Sequence, residues 1–196
     1  MDFASADLTM GQMNAIVKKL GGEKAALRFL RGELMVSASP TATAVANPEL
    51  LSVDHSKMLE QMIADGYYDW VSSDINPERF PMKGEGVEEL EWKEFHFDFD
   101  IKSDDAKTRI ETADTGNPWI PARIEHLLAY GTKFPDKQRQ YPIVGLGSVG
   151  KVLVGRCVPR LGRVGSSRDL SLSWWVGGWP RRCRFLAVRK ASVPQT

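Results

Sequence analysis

The sequence predicts an α+β protein: an N-terminal helical hairpin, then helices and a mainly antiparallel C-terminal sheet of about four or five strands. Three observations predict it. Helical spacing dominates residues 9–34, strict alternation governs 92–101, and from Tyr141 onward β-branched and aromatic runs alternate with Gly- and Arg-rich turns. The 196 residues, 42% hydrophobic and 26% charged, can bury a core without disulfides or metal, and the balance is far from that of a disordered chain.

Thr9 and Gln12 form a T-x-x-Q capping box ahead of Met10, Met13, Ile16, Val17 and Leu20, which share one helical face until Gly21-Gly22. A second short helix follows from Glu23, with Ala26, Leu27, Leu30 and Leu34 as its stripe. The hairpin therefore occupies 1–36, and SASPTATAVANP at 37–48 has the composition of a linker to an α+β domain at 49–196. Within that domain Met58, Leu59, Met62 and Ile63 predict a helix closed by Gly66, and the stretch 67–86 reads as a loop broken at Asn76-Pro77 and Phe80-Pro81. Residues 92–101 predict a half-buried strand, with Phe95, Phe97, Phe99 and Ile101 inside and Glu94, His96, Asp98 and Asp100 outside. Ser103 suits the cap of a short helix, and Pro121 the first turn of one carrying Ile124, Leu127 and Leu128 to about Gly131. Strands then follow at 143–146, 152–158, 170–176 and 183–188.

Residues 8–34 (LTMGQMNAIVKKLGGEKAALRFLRGEL), 68–81 (YDWVSSDINPERFP), 125–148 (EHLLAYGTKFPDKQRQYPIVGLGS) and 183–190 (CRFLAVRK) carry a likeness across most of the chain. In these phrases the sequence resembles a family of uncharacterised proteins from uncultivated, small-genome bacteria, to which no activity is assigned. The resemblance implies a bacterial cytosolic protein and transfers no catalytic or binding residue. Gly150 departs from the family pattern.

The opening MDFASADLTMG lacks both a basic n-region and an apolar h-region, and no apolar run is long enough to span a bilayer, so a cytoplasmic protein without membrane contact is expected. Cys157 and Cys183 are too few for a disulfide framework and read as buried thiols. The net charge of +1 hides an asymmetry: residues 151–196 hold ten Lys/Arg against Asp169 alone, a local +9, which leaves −8 for residues 1–150. Such an end can bind nucleic acid or an acidic protein, or dock on the chain's own acidic half.

Each catalytic motif meets an objection. Gly145, Gly147 and Gly150 spell G-x-G-x-x-G after a strand, but KVLVGRCVPRLG supplies no helix to receive a pyrophosphate, so no cofactor is expected and the glycines belong in or between strands. Ser148 nearly forms a nucleophile elbow, yet His55, His96 and His126 all precede it, against the α/β-hydrolase order. His96, Asp98 and Asp100, with Glu94, share a strand face and could bind a divalent ion or move protons, although same-face spacing of about 7 Å lets one ion reach only two of them. The hairpin also has the outline of a helix-turn-helix, with a second helix short for groove reading.

The reading that results is a non-enzymatic binding module: a basic sheet in which Trp175 and Trp179 stand with Arg181, Arg182 and Arg184 takes an acidic partner, nucleic acid among them. Alternation puts Trp174 on one face with Leu170, Leu172 and Val176 and Trp175 on the other with Ser171 and Ser173, so Trp174 is expected in the core. The alternative is a hydrolase or metal-dependent enzyme working through His96, Asp98 and Asp100. No resident metal or cofactor is expected in the first reading.

Overall fold

The computed structural model describes residues 49–153 and 155–191, so the hairpin expected at 1–36 and the linker at 37–48 lie outside the described residues. The described chain runs β1 (Leu51–Asp54), α1 (Leu59–Asp65), β2 (Trp70–Val71), β3 (Val87–His96), α2 (Ser103–Glu111), β4 (Ile120–Pro121), α3 (Ile124–Lys133), α4 (Lys137–Gln140), β5 (Ile143–Val144), β6 (Gly150–Val152), β7 (Gly155–Val164), β8 (Ser167–Trp174) and β9 (Arg184–Lys190). This corrects the α+β expectation. The described part is mostly one nine-stranded sheet, and its helices are only 7, 9, 10 and 4 residues long. The sheet is mixed, because β2 runs parallel to β8 and β5 parallel to β9.

The strand order is β1-β3-β9-β5-β7-β8-β2, with β4 also on β9 and β6 on β7. The last strand is therefore central. β9 is inserted between β3 and the β5 and β4 segments, a pairing between distant parts of the chain that no local pattern announces. Its run Phe185-Leu186-Ala187-Val188 is buried throughout because both faces of the sheet are covered. Leu186 and Val188 join Leu51, Leu90, Ile143 and Leu161 under α1 and α3. Phe185 and Ala187 join Phe95, Val144 and Val158 under α2.

Several local expectations shift. The helix predicted from Met58 is α1, and it ends at Gly66. Ser103 is the first residue of α2 rather than its cap; its hydroxyl donates to the Trp175 carbonyl at 2.7 Å and accepts from the Trp179 indole at 2.8 Å. Pro121 pairs in β4 opposite Ala187 instead of opening α3, and α3 continues past Gly131 to Lys133. The loop expected at 67–86 contains β2, held parallel to β8.

The alternating segment also ends early. β3 stops at His96, Phe95 is buried, Phe97 is half-buried, and Phe99 is 44% exposed. Ile101 then returns to pair with Trp179. The reason is lateral: past His96 the partner strand β9 has run out, since His96 faces its first residue, Arg184.

Candidate anion-binding cleft

At the end of the sheet where β9 begins, a solvent-open cavity of about 430 Å³ is lined by Arg160, Arg163 and Arg182 with Gln138, Gln140 and Tyr141. No lining side chain is acidic. Arg160 and Arg163 come from β7, Arg182 precedes β9, and the two glutamines come from α4. Alternation along β7 puts Leu161 in the core beneath α3 and Arg160 on the opposite face, with Val158.

Arg160 is held from one side. Its guanidinium donates to the Ser171 hydroxyl at 2.9 Å and to Asp169 at 3.2 Å, and these two residues are buried on the neighbouring strand. Gly162 makes room for the pair, because a Cβ there would come within 2.9 Å of the Asp169 carboxylate and 3.4 Å of the guanidinium. Arg163 donates only to the Gly165 carbonyl, at 2.8 Å, and Arg182 is exposed; among the described residues neither meets a carboxylate. Two full cations and one half-compensated cation therefore face a common space.

Tyr141 forms a wall fixed from behind. Its hydroxyl donates to Glu94 at 2.7 Å, the buried Tyr130 hydroxyl donates to the same carboxylate, and Arg184 lies over the Tyr141 ring at 4.6 Å. Burial, then the Glu94 hydrogen bond, pushes the Tyr141 phenol up to about 12, so it stays a neutral donor.

The sequence-predicted residues are dispersed. Trp175 and Trp179 are buried, at 6% and 5% exposure, and their indole N–H groups are spent on Asp104 and Ser103 at the start of α2. They fasten α2 to the sheet and offer no open ring. Trp174, expected in the core, is 55% exposed: it pairs with the buried Cys157, but its ring lies against Gly155 at the start of β7. Of the arginines, Arg182 lines the cleft, Arg181 is exposed, and Arg184 is engaged by Tyr141.

The catalytic candidates do not converge. Glu94 points to the two tyrosines, the His96 Nε2–H donates to the Arg181 carbonyl at 2.9 Å, and Asp100 accepts from the Arg181 amide at 3.1 Å. His96 and Asp100 thus pin the turn before β9, and Asp98 lies past the strand end. Among the described residues no group of three or more His, Cys, Asp or Glu could hold a metal ion. Ser148 is buried, its hydroxyl accepting the Ile124 amide at 2.9 Å, so it caps α3 from a distant loop. Cys157 and Cys183 are free and buried, and burial pushes both thiols up.

Arg160, Arg163, Gln138 and Tyr141 were missed by sequence reasoning. Arg160 and Arg163 sit in the β-rich basic end that drew attention for its charge, but their convergence with α4 depends on the β5–β7 pairing. No family model, curated protein or solved structure matches the chain. No helix among the described residues is long and apolar enough to cross a membrane.

Proposed function

We propose that the protein is a non-enzymatic binding module that holds an extended polyanion in the cleft formed by α4, β7 and the start of β9. The observation that carries this reading is the meeting of Arg160, Arg163 and Arg182 around one open cavity with no acidic lining residue. Guanidinium groups present planar forks that match phosphate oxygens, and the Gln140 side chain adds to the polar wall, whereas the buried Gln138 amide is spent on Gly162, Asp169 and Arg168. The basic Trp/Arg sheet inferred from sequence keeps its charge in this reading and gives up Trp175 and Trp179.

Elution from immobilised heparin tests it. The protein is expected to require more salt to elute than the Arg163→Ala/Arg182→Ala double variant, because each lost anion contact lowers counterion release. Co-elution of the two at the same salt would count against the cleft as the binding surface.

A further inference from the structure

We infer that the polyanion is single-stranded nucleic acid and that Trp70 is the platform on which one of its bases stacks; this rests on the binding reading above. The cleft does not end at Arg160. That side chain is also a wall of a second cavity, of about 470 Å³, bounded by Trp70, Val164, Ser167, Arg168, Ser171 and Asp169, whose carboxylate is paired with Arg160. Trp70 is 54% exposed.

The register fixes which way Trp70 faces. In β2, Trp70 pairs with Asp169 and Val71 with Leu170. Val71 packs on the core beneath α3, so alternation puts Trp70 on the opposite face, the one that carries Arg160, Asp169 and Ser171. Two strand spacings, about 10 Å, separate the backbones of β7 and β2. An open indole and the Arg160 guanidinium therefore occupy one sheet face, and Arg160 joins their cavity to the cleft that Arg163 and Arg182 also line.

A polyanion such as polyphosphate uses the arginines and has nothing to place on the indole. A duplex has its bases stacked on each other, with no free face to offer. An unpaired nucleotide uses both, its phosphate on the guanidinium groups and its base on the ring.

The test compares an oligothymidylate with a polyphosphate chain of similar charge, titrated at low salt into the full chain and its variants. Trp70→Leu is expected to weaken oligothymidylate binding by about 5- to 150-fold, the range for loss of one base–aromatic stack, and to leave polyphosphate binding within about twofold. Trp70→Phe should recover part of the loss. If both ligands bind the wild-type chain but Trp70→Leu leaves the oligothymidylate unaffected, or weakens both ligands equally, the inference falls and the binding reading stands. If neither ligand binds the wild-type chain, both fall.

Discussion

Arg168 is buried, and among the described residues its charge is met by carbonyl oxygens and one amide in place of a carboxylate. Its guanidinium donates to Gly66 at 2.6 Å, Gly131 at 2.8 Å and the Gln138 side chain at 3.0 Å, and lies over the Tyr68 ring. Gly66 caps α1 and Gly131 lies in the last turn of α3, so the cation sits where two helix C-termini converge. Arg168→Met should destabilise the fold by about 3 kcal/mol or more in urea denaturation, since each orphaned buried acceptor costs about 1–3 kcal/mol. His126 is a second buried polar residue, its Nδ1 accepting the Arg123 amide at 3.2 Å. Burial first, then Arg123 and His55, pushes its imidazole down to about 3. The folded value lies below the unfolded 6.5, so the unfolded chain takes up the proton first and stability falls as pH drops from 6.5 towards 3. His126→Gln keeps an acceptor at the capping position and removes the titration. Between pH 8 and pH 5 it should lose about 2 kcal/mol less stability than the wild type, measured by denaturation at each pH.

At the scale of elements, the IVGLGSVG segment shows what its glycines are for. Gly145 and Gly147 lie between β5 and β6, and Gly150 begins β6, as the sequence predicts. Gly147 passes so close to β4 that a Cβ would overlap the Pro121 carbonyl and come within 2.9 Å of the Ala122 oxygen. Gly147→Ala should therefore lower the unfolding midpoint markedly, whereas Ser148→Ala, which deprives the Ile124 amide of its acceptor, should cost about 1–2 kcal/mol. Period and turn chemistry made the positions of α1, β5, β8 and β9 legible in sequence, but the single strand expected at 152–158 is instead a hairpin, in which β6 ends at Val152 and pairs antiparallel with the start of β7. Those signals could not reveal β2 or β4, two residues each, whose existence depends on β8 and β9 as partners. The same limit misassigned the tryptophans. Alternation along 170–176 correctly separates Trp174 from Trp175, but which face is covered is decided by α2, docked through Ser103 and Asp104 from far earlier in the chain. Arg182 was legible in the candidate site as part of a charge cluster, and Arg160 became a site residue only through its neighbours across strands.

Across the whole described molecule, the basic C-terminal end has two fates. Arg189 is paired internally, at 2.7 Å from Glu91 and 2.8 Å from Asp114, with its guanidinium over Trp119. Arg163 and Arg182 meet no carboxylate and face the cleft with Arg160. The local excess of positive charge is thus divided between holding the fold and leaving cations available to an anion. The account turns on the second group, and the dependence of polyphosphate affinity on salt measures it most directly. The wild-type protein should give a linear fall of log K with log salt, and Arg163→Ala/Arg182→Ala should flatten that slope by roughly one unit per lost contact, about two in all. An unchanged slope in the double variant, with binding intact, would contradict the assignment of the cleft.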